Sequence, residues 1–277
     1  MAFGDSLWPS NMGAPTTLDV AYPSYTNILG TGSKASWSQV IAAASVTADL
    51  HWLEVEVVKT VASATDTSAV LDIGVDPAGG TSYSVKVADL LVGHADDWNA
   101  NSGNGGAIRY AIPIKITSGS SIAIRGQTTR GAAATCSVGV WTRGGATGTP
   151  YNGTTSYTFG ISGTGGTSVT PGSDTWGSWT NVGSATAADI QSLTLGVQPP
   201  TGTTVNRNTY LFQIGWSSTV KTGIWTAHMG TSETISLLSL PEYTFVASGT
   251  QLQVRCAASS GGSIDNPRVA IYAVSAS

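Results

Sequence analysis

Few side chains in this chain of 277 residues could do acid–base or covalent chemistry. Its histidines are His51, His94 and His228, and its cysteines are Cys136 and Cys256. No two of these stand about two to four residues apart, the ligand spacing of common zinc sites. No Gly-x-Ser-x-Gly elbow with strand and helix flanks accompanies them, so a serine nucleophile lacks its usual setting. Phosphate-cradling and dinucleotide fingerprints are absent, and the glycines sit in turn-like contexts. Glycoside hydrolysis needs two opposed carboxylates. Glu54 and Glu56 alternate with Val55 and Val57, which reads as a solvated strand face. Asp96 with Asp97, and Glu233 with Glu242, are not paired by spacing. These residues predict no catalytic site and a protein that is not an enzyme.

Binding chemistry is better represented. The stretch Leu91 to Asn104 carries His94, Asp96, Asp97, Trp98 and Asn101. Acid, amide, imidazole and indole together form the set that hydrogen-bonds and stacks on sugars. The same oxygens could hold a calcium ion, and an ordered loop or an intersubunit contact is the plainer alternative. In the second half Trp225 and His228 stand in the corresponding region. Trp98 and Trp225 are expected as exposed platforms, whereas Trp37 and Trp179 are expected to pack. Cys136 and Cys256 lie in alternating apolar runs and read as small buried hydrophobes rather than a disulfide.

The elements that must position these residues announce themselves by repetition. Ser36-Trp37-Ser38-Gln39-Val40 recurs as Ser178-Trp179-Thr180-Asn181-Val182, with Asp49 and Asp189 following. Leu53, Val55 and Val57 match Leu193, Leu195 and Val197, and Ile73-Gly74-Val75 matches Ile214-Gly215-Trp216. Ser118-Gly119 with Ile122-Ala123-Ile124-Arg125 matches Ser248-Gly249 with Leu252-Gln253-Val254-Arg255. Val138-Gly139-Val140-Trp141 matches Val269-Ala270-Ile271-Tyr272. Each block alternates apolar and polar residues between turn formers, the pattern of half-buried strands. The expectation is an all-β chain of two tandem jelly-roll-like antiparallel β-sandwiches related by internal duplication. Copy one spans 36–143 and copy two 175–277. A Gly/Ser/Thr-rich linker covers 144–174, within which Ser156 to Ile161 could add a strand. Residues 1–35 form an N-terminal arm whose Phe3, Trp8, Tyr22 and Tyr25 either anchor it to a particle or pack back on their own domain.

Composition agrees. Charged residues make up 10% of the chain, against about 25% in ordinary soluble domains. Long helices need more Glu, Lys and Arg on their exposed faces. The net charge is −4, and no Lys/Arg cluster offers a nucleic-acid footprint. No run of about 20 apolar residues would cross a membrane as a helix. The N-terminus lacks a basic region followed by an apolar one, so it is not read as a secretory signal.

On the repeated Ser-Trp block, the Ala/Thr stretch with its Asp, and the Ser-Gly strand ending in Arg, the sequence resembles virion surface proteins of tailed bacteriophages and gene transfer agents. Head spikes, fibres and decoration proteins of that kind often carry tandem jelly rolls. The resemblance spans 36–143 and 175–275. It implies homo-oligomers, assembly in a host cytoplasm onto capsid or tail proteins, and host attachment through surface polysaccharide, without nucleic acid or membrane as partners and without a required cofactor. A stand-alone bacterial carbohydrate-binding or adhesion protein is the competing expectation, with a polysaccharide-degrading enzyme ranked behind it.

Overall fold

The computed structural model describes residues 15–18, 24–61, 67–94, 108–128, 134–144, 153–199, 208–230, 233–259 and 264–275. Nearly every regular element in them is a β-strand, and one 3-10 turn (Ala43–Ser45) stands apart. Among the described residues no helix is long and apolar enough to cross a membrane.

The first half contains β1 (Pro15–Leu18), β2 (Ser24–Thr31), β3 (Ser38–Ile41), β4 (Leu50–Val61), β5 (Thr67–Asp76), β6 (Ser84–His94), β7 (Ile108–Ile112), β8 (Ser121–Thr128) and β9 (Ala134–Gly144). One layer runs β6-β5-β8 with β3 beyond, and the other runs β7-β4-β9 with β1 beyond. β2 pairs antiparallel with β9 and parallel with β8, so it ties the two layers together. The expected arm therefore contributes strands to the first sandwich from residue 15 onward. Phe3, Trp8 and Tyr22 lie outside the described residues, while Tyr25 sits in β2 opposite Cys136.

The second half contains β10 (Ser156–Phe159), β11 (Thr167–Ser168), β12 (Gly172–Ser173), β13 (Thr180–Asn181), β14 (Ile190–Gln198), β15 (Asn208–Trp216), β16 (Thr219–Val220), β17 (Trp225–Gly230), β18 (Glu233–Ser239), β19 (Glu242–Val246), β20 (Gln253–Ala258) and β21 (Arg268–Ser275). Here β10 and β11 pair with β21 while β12 pairs parallel with β20. The stretch expected as a linker thus carries three strands of the second sandwich. At Gly160, Gly166 and Gly172 of this stretch a Cβ would lie 2.5 Å from a neighbouring atom, so close packing requires glycine there.

The pairings of the two halves correspond. β3–β8, β8–β5, β5–β6, β4–β7 and β4–β9 have counterparts in β13–β20, β20–β15, β15–β17, β14–β19 and β14–β21. The detail extends to single bonds. Asp49 accepts the Ser118 amide at 2.9 Å, and Asp189 accepts the Ser248 amide at 2.8 Å. Gly119 and Gly249, which follow those serines, take φ of 78° and 83°. That left-handed turn strains any side chain, which explains Ser-Gly at both places. Gly74 and Gly215 face Trp37 and Trp179, and a Cβ on either would lie 2.7 Å from the indole Cη2.

Alternation builds the core. Leu53, Val55, Leu71, Ile73, Ile124 and Val140 point inward in the first half, and Leu193, Leu195, Phe212, Ile214, Val254 and Ile271 do so in the second. The polar partners of the second set do not all face water. Thr194 and Gln198 are each 1% exposed. Thr194 donates to the Ala111 carbonyl of β7 at 3.1 Å, while Gln198, Ser156, Thr158 and Tyr272 face the edge of β6, which has a strand on one side only. Ser156 Oγ donates to the Lys86 carbonyl at 2.6 Å and Thr158 Oγ1 to the Ala88 carbonyl at 2.7 Å. Tyr272 Oη accepts the Leu91 amide at 2.6 Å and lies 3.0 Å from the Asp89 carbonyl. Gln198 Nε2 donates to the Val92 carbonyl at 2.9 Å. Tyr110, from the first half, donates to the Leu91 carbonyl and meets the Tyr272 ring edge-on at 5.4 Å. An unpaired edge buried without partners would be costly; here side-chain hydroxyls and an amide replace the missing strand. β18 adds a second seam by pairing parallel with β7 at Leu237–Ile108, so the larger sheet runs through both halves.

Glu54 departs from its expected solvated face. It is fully buried, accepts from Arg109 Nε at 2.9 Å and from Trp52 Nε1 at 3.2 Å, and Arg109 in turn lies 5.4 Å from the Trp141 ring centroid. Alternation places Glu54 opposite the core, but β7 and β9 flank it on both sides, and its charge is compensated within the sheet.

Candidate functional site

β17, β15 and β20 lie side by side, and strand alternation divides their residues cleanly. Tyr210, Phe212, Ile214, Val254, Cys256, Trp225 and Ala227 point inward. Thr209, Leu211, Gln213, Arg255, Thr226 and His228 point to the outer face. Burial pushes the Cys256 thiol well above its ordinary range, so it behaves as a core hydrophobe. Tyr210 is pushed up to about 12, chiefly by burial.

The segment after β12 folds over this outer face. Asp174, in the left-handed region at φ 51°, donates its amide to the Ala258 carbonyl at 2.9 Å. Gly177 donates to the Cys256 carbonyl at 2.8 Å. Between these two bonds Trp176 is laid along β20. The result is a cleft of about 500 Å³ lined by Asp174, Trp176, Thr209, Leu211, Ala257 and Ser259. Thr209 Oγ1 lies 2.9 Å from His228 Nδ1, so the imidazole extends the polar rim. Asn208 Oδ1 takes the Thr209 amide at 3.2 Å and also the Ser259 hydroxyl, which fixes the other side.

Beside the cleft, the Arg255 guanidinium sits between two indoles, 4.8 Å from the Trp176 centroid and 4.9 Å from that of Trp179. Its Nε and Nη2 donate to Gln213 Oε1 at 3.1 and 2.8 Å. The matching place in the first half is built differently. Arg125 lies 4.3 Å from the Trp37 centroid and donates to Asp72 at 3.0 Å. Lys34 bridges Asp72 and Asp89 at 2.6 Å each. The strand residues there, Ser68 and Val70, are buried, and Ser68 Oγ lies 2.6 Å from Thr164 Oγ1 of the second half. One half therefore has a sealed face and the other an open one.

Of the residues expected from sequence, His228 lies on the open face and Trp225 does not. Trp225 is 5% exposed and donates Nε1 to the Leu240 carbonyl at 3.1 Å. It belongs to β17 rather than a loop, and being an odd number of positions from Thr226 it must point the other way. His94 closes β6 opposite Thr67. Asp96, Asp97, Trp98 and Asn101 lie outside the described residues, as does the calcium site expected of them. Among the described residues no group of three or more His, Cys, Asp or Glu could hold a metal. Sequence reasoning missed Trp176, Thr209, Leu211, Gln213 and Arg255. A signal existed for Trp176: Trp176-x-x-Trp179 stands where the first half has Lys34-x-x-Trp37.

No protein-family profile matches this chain, and no curated protein matches it. Among solved structures, PNGF-II aligns over 97% of this chain and 64% of its own, with a TM-score of 0.41 and 9% identity. The chain thus spans less than two thirds of the length of PNGF-II. The CBM22-1–CBM22-2 tandem domain of Paenibacillus barcinonensis aligns over 96% of this chain and 86% of its own, at TM-score 0.24 and 11% identity. Infectious bursal disease virus, Gx strain, aligns over 91% of this chain and 67% of its own, at TM-score 0.24 and 13% identity.

Proposed function

We propose that this chain is a non-enzymatic surface protein of a phage-like particle, built by internal duplication, whose second sandwich contacts host polysaccharide. The observation that carries the binding role is the open cleft over β15 and β20. It offers an aromatic wall in Trp176, an apolar floor in Leu211 and Ala257, and hydroxyl, carboxylate and imidazole groups around its rim. An apolar body with a few fixed polar groups is the general form of a small-ligand site. Sugar rings match it, because they present C–H faces to indoles and hydroxyls to the rim. The buried carboxylates of Glu54 and Asp72 are each committed to internal cations, which favours binding over acid–base catalysis.

The particle setting rests on the resemblance in the repeated Ser-Trp and Ser-Gly-Arg blocks. Copies on a particle would multiply weak contacts by avidity. Association of the chain with itself is supported by β19, an open sheet edge bearing Tyr243 at 40% and Phe245 at 64% exposure, with Ile224 at 56%. Its counterpart in the first half, β7, is covered by β18. Light scattering of wild type and Phe245→Asp checks this, since a strict monomer for the wild type at high concentration would remove the homo-oligomer.

A glycan array read with wild type, Trp176→Ala and Trp98→Ala tests the site. Loss of binding in Trp176→Ala is expected, and unchanged binding would remove the cleft from this reading. Anchoring is tested by deleting residues 1–14, which removes Phe3 and Trp8 but spares β1 and β2. Normal occupancy of the truncated chain on particles would show that these anchors are not needed.

A further inference from the structure

We infer that the cleft selects an acidic saccharide, whose carboxylate is received by the Arg255 guanidinium between Trp176 and Trp179. This rests on the reading of the cleft as a glycan site and specifies its ligand class.

The inference comes from comparing the same place in the two halves. In the first, Arg125 and Lys34 face two carboxylates, Asp72 and Asp89, and the four charges close on one another. The side chain of Asp72 is only 4% exposed there. In the second half the strand registers put Gln213 where Asp72 stands, since each pairs with the arginine of the neighbouring strand. Ile224 takes the place of Asp89, because Phe212 pairs with Trp225 as Leu71 pairs with Leu90. Trp176 replaces Lys34, three positions before the repeated tryptophan. Both anions are gone and one cation is kept.

Among the described residues no carboxylate comes within ion-pair distance of Arg255. Its neutral partner, Gln213 Oε1, occupies Nε and Nη2. Nη1 has no described bond, so the outer edge of the guanidinium is the part left to donate. Two flanking indoles hold the plane in a fixed orientation, and a planar fork of that kind suits a carboxylate better than a hydroxyl. The one acid of the cleft, Asp174, is tied by its amide to Ala258, three residues along β20 from Arg255 or about 10 Å. The cation therefore stands beside the cleft at its Trp176 wall, away from its one acid.

The test uses oligogalacturonate, oligomannuronate and hyaluronan oligomers, each beside its carboxyl-reduced neutral form, titrated calorimetrically into the full chain. The expected result is binding of at least one acidic oligomer, with its reduced form weaker by about tenfold or more, the size of one charged hydrogen bond. Arg255→Gln should erase that preference. Gln213→Asp rebuilds the ion pair of the first half; it should keep the fold, as judged by an unchanged or raised Tm, and still lose the acidic ligand. Equal binding of acidic and reduced forms, or acidic binding that survives Gln213→Asp, overturns the acidic preference while leaving the glycan cleft standing. No binding of any oligomer, acidic or neutral, here and on the array, overturns both.

Discussion

Two glycines show how tightly single positions are set. Gly215 would bring a Cβ within 2.1 Å of the Thr219 carbonyl as well as 2.7 Å of Trp179. Overpacking of that kind costs about 1–3 kcal/mol, so Gly215→Ala should lower stability by that amount in thermal unfolding, and Gly74→Ala should do likewise through Trp37. Glu54 is a harsher case. Removing one partner of a buried ion pair leaves the other charge unpaired and costs about 3–5 kcal/mol; urea unfolding of Glu54→Ala should show a loss of that order. Acid sensitivity has two named contributors. Burial depresses the pKa of His51, and bonds from the Ser118 amide and then Lys115 depress that of Asp49. In both, the unfolded chain binds a proton more readily than the folded one, so stability falls as pH falls. For His51 the decline begins below its ordinary value of 6.5. A titration of Tm from pH 8 to 5 is expected to be flatter in His51→Gln than in the wild type.

The strand that most needs help is β6. Beyond its exposed start at Ser84 and Val85, its outer edge has no strand partner, and the hydroxyls of Ser156, Thr158 and Tyr272 with the amide of Gln198 supply its bonds. Leaving a buried backbone group without its partner costs about 1–3 kcal/mol. Thr158→Val keeps the shape and removes the donor to Ala88, and Tyr272→Phe strips both the Leu91 amide and the Asp89 carbonyl. Each should destabilise, with Tyr272→Phe the worse. Faster hydrogen exchange at the Leu91 amide is the local signature; unchanged exchange there would mean water replaces the hydroxyl without loss.

The two halves are expected to unfold together. The larger sheet crosses from one to the other through β7 and β18, and Tyr110 meets Tyr272 in a common buried cluster. A calorimetric scan should show one transition whose van't Hoff and calorimetric enthalpies agree. Two resolved transitions would show that the seam contributes little. The same seam gives the halves different surfaces. On the outer face of the first, Ser68 and Val70 are buried and Ser68 meets Thr164 of the second half, whereas Thr209 and Leu211 on the corresponding face line an open cleft.

The all-β class, the strand pattern, the repeated positions of Asp49 and Asp189 and the Ser-Gly turns were legible in residue order, because alternation and turn chemistry are local properties; the bonds from those acids to Ser118 and Ser248 were not, since they join residues far apart in the chain. So was the pairing of Trp37 with Trp179 as packing residues. The buried state of Glu54 and Trp225 was not, since the face a strand residue occupies depends on what lies across it. In the stretch before Trp176 only the strand at Ser156 was legible; Gly-rich composition hides the two-residue pairings of β11 with β21 and β12 with β20. The cleft itself was set only by tertiary structure. Asp174, Trp176, Thr209, Leu211 and Ser259 come from three separate stretches of chain, and none carries a local signal of the others. Sequence determined which residues alternate and repeat; the packing of one half against the other decided which repeat kept its face open, because burial follows from long-range contact.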